Sequence, residues 1–226
     1  MESTVLVDAL DDEEPDAELM WLAVEAARRA RDIDLSWVGS RHPEATRRAC
    51  RWPGEHYRFL AGLAALLEPR VIVEVGTATG LASLALHAGA PRGRIVSWDV
   101  RPWRSFDDTV LVDDDFASWF EQRLGDLSAP GAFDAARELF TEAELVFVDG
   151  PKDGTFEPAL HGLLVDVLPA SALLVYDDVR LLPMVEFWRA LALPKFDATS
   201  LAHWTGTGLV RPPISKAPAP VPGAVP

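Results

Sequence analysis

Short apolar runs alternate with stretches of helical spacing through most of this chain, and that alternation fixes what it can fold into. VIVEV (71–75), IVSWD (95–99), a run near 120–126, ELVFVD (144–149) and ALLVYDD (172–178) read as strands rich in β-branched residues. LASLALHAGA, AFDAARELF and segments near 156–168 and 182–191 read as helices between and after them. Strands that alternate with helices form parallel βαβ units, with helices on both faces of one sheet. Two further runs, 196–202 and 207–211, predict a doubly wound, mostly parallel sheet of seven strands. Helices expected over 17–31 and 55–67, the second stopped by Pro69, add an N-terminal helical layer.

The folded unit is expected to span 16–211. Residues 1–15 read as a solvated acidic tail, and 212–226, with six prolines in fifteen positions, as a Pro/Ala-rich tail that blocks helix and central strand. A net charge of −14 argues against phosphate-backbone binding and against anionic membrane surfaces. The single cysteine, Cys50, allows no internal disulfide, and no apolar run is long enough to span a bilayer. A cytoplasmic protein follows as the expectation.

In such a sheet ligands bind at the carboxyl ends of the strands, so the residues there carry the function. After the first strand, Glu74-Val75-Gly76-Thr77-Ala78-Thr79-Gly80 leads into a helix: the glycines permit a tight turn and close approach of a ligand, and the helix offers free N–H groups. The spacing lacks the full dinucleotide fingerprint, so it suits a nucleoside with a carboxylate better than a pyrophosphate. Asp99 ends the second strand, 19 residues beyond Gly80, where a carboxylate can accept two ribose hydroxyls. Asp126, after the third strand, is placed to accept from an exocyclic amine or to cap a helix. Asp149, Asp177 and Asp178 end the fourth and fifth strands; three converging carboxylates call for a cation, and all-oxygen ligation suits Mg²⁺ or Mn²⁺.

These residues resemble the class I S-adenosylmethionine-dependent methyltransferases over about 36–211. VEVGTATG is similar to the family's first motif, SWDV to its acidic ribose motif and LGDLS to its adenine-proximal segment. The layout looks like that of metal-dependent O-methyltransferases, of the catechol type and of the cephalosporin-hydroxylase/rhamnosyl O-methyltransferase-like group. The resemblance implies a Rossmann-like fold, with Glu74, Gly76, Thr77, Ala78, Gly80, Asp99, Asp126 and Asp149 around S-adenosylmethionine. It implies a metal at Asp149, Asp177 and Asp178, and a base at Lys152, three residues after the first metal Asp.

The expected activity is methyl transfer to a hydroxyl of a small polyhydroxylated acceptor, a sugar ahead of a catechol-like ring. The metal would lower the acceptor's pKa while Lys152, depressed toward neutrality, takes the proton. The five histidines, His42, His56, His87, His161 and His203, are alternative bases; His87 and His161 are assigned to core or surface, and His42 and His56, on the segment that could lid the site, are the ones kept. Trp37, Trp52, Trp98, Trp103 and Trp204 flank the site loops as stacking candidates. A nicotinamide-dependent oxidoreductase and a noncatalytic binding protein are the competing readings, and a homodimer is the expected assembly.

Overall fold

A computed structural model describes residues 14–50 and 55–213. The expectations for the acidic segment before residue 14, for the proline-rich segment after 213 and for Trp52 lie outside the described residues. Seven strands form one sheet: β1 (Val71–Val75), β2 (Arg94–Asp99), β3 (Phe120–Leu124), β4 (Leu145–Val148), β5 (Leu173–Asp177), β6 (Lys195–Asp197) and β7 (Thr207–Val210). Their order is β3-β2-β1-β4-β5-β7-β6, with β7 antiparallel to both neighbours and every other pairing parallel. The order reverses between β1 and β4. Such a switch point splays the two following loops to opposite faces and opens a crevice between them.

Eight helices accompany the sheet among the described residues: α1 (Ala17–Ala30), α2 (Ala45–Ala49), α3 (His56–Leu67), α4 (Leu81–Gly89), α5 (Asp113–Phe116), α6 (Ala132–Glu142), α7 (Phe156–Val165) and α8 (Leu182–Ala190). None is long and apolar enough to cross a membrane. Strand side chains alternate between two cores, as the period of two requires. Val73, Val75, Val146, Val148, Leu174 and Tyr176 pack under α6, α7 and α8, through Phe140, Leu160 and Phe187 among others. Ile72, Leu145, Phe147, Leu173 and Val175 face α1, α3 and α4, through Leu19, Phe59, Leu63 and Leu86. Each fully buried large side chain of this kind contributes about 1.5–3 kcal/mol.

The N-terminal layer is present as expected and packs closely on the second core. Asp16, the first residue after the expected acidic tail, caps α1 by accepting from Leu19 N (2.9 Å). Small residues of α1 (Ala23, Ala26, Ala30) meet Gly62 of α3, where a Cβ would lie 2.2 Å from the Ala26 carbonyl oxygen. Leu35, Val38, Ala45 and Ala49 form a third cluster on α3 and α4. Arg41 ties this layer to the loop after β2 through a two-pronged ion pair with buried Asp115 (2.5 and 3.1 Å) and a bond to the Val110 carbonyl.

One strand differs from expectation. The run 196–202 is β-strand only over its first residues; 198–206 folds into a tight loop, with Leu201 N and Ala202 N donating to the Ala198 carbonyl. Its apolar residues, Ala198 and Ala202, are buried because that loop covers the end of the second core, which mimics strand patterning.

The switch point itself rests on Gly76, whose φ is +103° and whose missing Cβ would lie 2.1 Å from the Asp149 carbonyl oxygen. Asp149 N donates to the Val75 carbonyl (2.7 Å), so the β1 and β4 loops are pinned backbone to backbone. Gly76→Ala combines this overlap with an unfavourable φ, and denaturant unfolding should register a loss of at least about 2 kcal/mol. Parental stability in that variant would show that the two loops are not held in this contact.

Candidate functional site

Two groups of residues meet at the crevice. The first surrounds the β1 turn. Asp99, the last residue of β2, accepts from Ala78 N (2.8 Å) with one carboxylate oxygen and from Arg101 N (2.8 Å) with the other. Each oxygen keeps a further lone pair for a ligand hydroxyl. Ala78 sits at φ +42°, a strained conformation for a residue with a Cβ, held by that bond to Asp99. Thr77 is buried and shares a 2.7 Å bond with Ser97 Oγ. Gly125 N donates to the Asp99 carbonyl (2.9 Å), which brings the loop after β3 alongside, and Asp126 there accepts from Ser128 N and Oγ.

Glu74 lies beneath the turn rather than at its rim. It is fully buried on the α3/α4 side, and Ser83 Oγ donates to Oε2 (2.5 Å) while Oε1 has no hydrogen-bond partner among the described residues. Burial above all pushes its pKa up to about 8, against the pull of hydrogen bonds from Ser83 and Ser97. A neutral carboxyl there braces β1 against α4 without an uncompensated charge.

The second group is built on the ends of β4 and β5. Lys152 Nζ is ion-paired to Asp149 and, at 2.9 Å, to Asp178. Asp149 is pushed up to about 7, by burial first and then by the charge of Asp177, against the pull of Lys152. Burial works against the Lys152 charge, but Asp149 and Asp178 outweigh it and lift the ammonium above its ordinary value. Lys152 is therefore a held cation here, not the neutral amine expected, because the group beside it is a pair of carboxylates.

Lys152 and Asp178 adopt φ +55° and +60°, so three of the four non-glycine residues in this conformation among the described residues lie at this sheet edge. Each is held by neighbours. Buried Glu157 of α7 accepts from Lys152 N (2.8 Å), and Asp178 N donates to the Gly206 carbonyl (2.7 Å).

Histidines complete the cluster. His56, the first residue of α3, places Nδ1 3.7 Å from Asp177 Oδ1, and His203 places its own 3.3 Å from the same oxygen. The two rings lie 4.3 Å apart. Burial, with His203 and Lys152 adding to it against Asp177, lowers His56 to about 4, so its ring is neutral near pH 7. Asp177 stays below the usual carboxylate value: burial opposes its charge, but His56 and His203 prevail. The start of α3 is fixed by Glu55, which pairs with Arg31 (3.0 Å) and Arg58 (2.5 Å).

Of the expected site residues, Gly76, Ala78 and Asp99 come together at the turn, and Asp149, Lys152, Asp177 and Asp178 in the cluster. Gly80 (φ +82°) serves as N-cap of α4. His42 lies apart, in the turn before α2, accepting from Glu44 N (3.3 Å). Trp98 is core, stacked on Phe140 (5.8 Å), and Trp103 stacks on Phe116 (5.2 Å); Trp204 stays exposed beside His203. His203 is named in the sequence only as one of five histidines and not kept for the site, and Thr205 and Glu157 escape that reading altogether. The signal for the first two was topological: β7 runs antiparallel with Thr207 opposite Asp177, so the residues just before it must overlie the end of β5.

Asp149, Asp177 and Asp178 bring donor atoms within 4.8 Å of one another, as a divalent ion requires. Lys152 already bridges two of them, however. Mg²⁺ or Mn²⁺ on all three carboxylates does not fit while that ammonium remains.

The strand order, the single reversed strand and the glycine turn facing an acidic residue define the fold of the class I S-adenosylmethionine-dependent methyltransferases. Solved structures agree. The fold matches the S-adenosylhomocysteine-bound methyltransferase PaMTH1 of Podospora anserina (TM-score 0.56, 16% identity, 93% of this chain and 99% of that one). It also matches the O-methyltransferase TomG of Streptomyces achromogenes, solved with S-adenosylmethionine (0.58, 20%, 88% and 99%). A Bacillus cereus O-methyltransferase solved with S-adenosylhomocysteine is similar as well (0.52, 19%, 85% and 99%). No protein-family profile matches the chain, and no curated protein matches it in sequence.

The neutral Glu74 has a measurable sign. The unfolded chain releases this proton near 4.5, while the folded chain keeps it to about 8. Between those values the unfolded state binds fewer protons, so stability falls as pH rises. Glu74→Gln removes the dependence, and its stability relative to the parent should improve by up to about 1.4 kcal/mol per pH unit across that window. Urea unfolding at a series of pH values checks this; a constant offset would mean that Glu74 is ionised in the fold.

Proposed function

We propose that the protein is an S-adenosylmethionine-dependent O-methyltransferase acting on a small hydroxylated acceptor. One observation carries the reading: a carboxylate bonded to the β1 turn, Asp99 on Ala78 N, stands at the switch point whose other wall is the Asp149–Lys152 pair. The first half suits a nucleoside ribose, and the second suits a hydroxyl that must lose a proton. The fold's likeness to methyltransferases solved with this cofactor or its product supports the assignment.

When bound, the cofactor supplies a methyl group on a sulfonium sulfur. Asp99 holds the ribose through its two free lone pairs, and the backbone around Gly76 admits the rest at close range. Lys152, kept charged, donates to the acceptor oxygen and stabilises negative charge as it develops. Asp149, bonded to Lys152 and with a raised proton affinity, receives the hydroxyl proton. The roles thus divide differently from the expected lysine base: the lysine is the electrostatic partner and the carboxylate the acceptor. Exposed Trp204, beside His203 at the cluster, offers a flat apolar face to a sugar or a catechol-like ring.

Calorimetry should find saturable S-adenosylmethionine binding, with NADH binding absent in the same titration. Asp99→Ala should weaken the former at least about tenfold, the loss of one charge-assisted hydrogen bond or more. Preference for NADH would favour the oxidoreductase reading instead. Once an acceptor is found by screening sugars and catechols, Lys152→Gln should lower turnover by about 10²–10⁴. Cofactor affinity should stay near the parent's, and unchanged turnover would remove Lys152 from the reaction.

A further inference from the structure

Two sets of donors share Asp177. One is the carboxylate trio, and the other is His56, Asp177 and His203, whose donor atoms also lie within 4.8 Å of one another. Lys152 spends its ion pairs on Asp149 and Asp178, which leaves Asp177 to the two imidazoles. The geometry points to a transition-metal site formed by His56, Asp177 and His203, selective for an ion such as Zn²⁺ or Co²⁺ over Mg²⁺.

The spacing of His56 favours an ion over a hydrogen bond. Asp177 Oδ1 is 3.3 Å from His203 Nδ1 and 3.7 Å from His56 Nδ1. The first is a long hydrogen bond, whereas the second lies beyond the usual range of about 2.7–3.2 Å for an N–H···O bond. The second is close to the separation of about 3.4 Å between ligands of a tetrahedral ion with bonds of about 2.0–2.1 Å. A second observation is independent of these spacings: His56 Nδ1 is buried and has no hydrogen-bond partner among the described residues. A buried ring nitrogen with no hydrogen-bond partner has a lone pair to give, and a metal ion is the Lewis acid that takes it.

Charge points the same way. Three carboxylates face a single ammonium in a largely buried cluster, so the cluster is short of positive charge and a divalent ion adds it. Imidazole nitrogen suits zinc, iron or nickel, whereas Mg²⁺ takes oxygen ligands and keeps its waters. Thr205 Oγ1 donates to Asp178 and accepts from His203 Nδ1 (2.8 Å), so Nδ1 carries the ring proton and fixes the ring, and His203 offers its other nitrogen, Nε2, to the ion. Two histidines and one carboxylate leave coordination positions open for a ligand oxygen. The site stands whether or not the methyl-transfer reading does, because its affinity is read without cofactor or acceptor.

The test uses the full chain after chelator treatment, titrated with Co²⁺ and separately with Mg²⁺. One equivalent of Co²⁺ should bind with visible ligand-field bands, and an excess of Mg²⁺ should not displace it. His56→Gln and His203→Gln should each weaken Co²⁺ binding at least about tenfold. Asp149→Asn should change it only a few-fold. X-ray absorption at the zinc edge of the unmutated protein, which needs no variant to fold, should show scattering from two imidazole rings. Absence of Co²⁺ binding, displacement by Mg²⁺, or a zinc spectrum without imidazole would overturn the site.

Discussion

The contact between the β1 and β4 loops governs the rest of the site. Gly76 has no Cβ, so the backbone after β1 lies directly against the Asp149 carbonyl oxygen, and Asp149 N returns a bond to Val75. Any side chain at that position would force the two loops apart. With them pinned, the helix after β1 presents its N-terminus to one side of the crevice, and the β4 loop delivers Asp149 and Lys152 to the other. A nucleoside pocket and a proton-handling cluster therefore share one wall, at the point between β1 and β4 where the order of the parallel strands reverses.

The charge arrangement follows from that wall. Asp149, Lys152 and Asp178 are brought close enough to compensate one another, and two of these residues pay for their positions with left-handed backbone conformations. That strain is borne by neighbours, Glu157 on the Lys152 amide and the Gly206 carbonyl on the Asp178 amide. The same arrangement explains why a lysine that looks like a base in sequence is a held cation in the fold. It also explains why any metal turns toward the histidines.

Much of the sheet and half of the site were legible in the sequence. The buried parallel strands are short and nearly continuous in apolar residues, so VIVEV, IVSWD and ELVFV reveal themselves locally, and the acids that end them stand where the sheet delivers them. The short helices over Ala45–Ala49 and Asp113–Phe116 left no periodic signal, being only about one turn long. His203 and Thr205 were hidden for a different reason: their loop carries buried Ala198 and Ala202 and reads as a strand. Only the antiparallel return of β7 places them over Asp177. The state of Lys152 was hidden too, since a spacing of three residues says nothing about which charges close around the ammonium.

The most direct measurement is a crystal structure of the protein grown with S-adenosylhomocysteine. The ribose hydroxyls should lie on the Asp99 carboxylate, the amino-acid end near the Gly76 turn, and the sulfur should open toward Lys152 and Asp149. A nucleoside bound elsewhere, or a crevice that takes none at saturating concentration, would contradict the assignment of this edge as a methyl-transfer site.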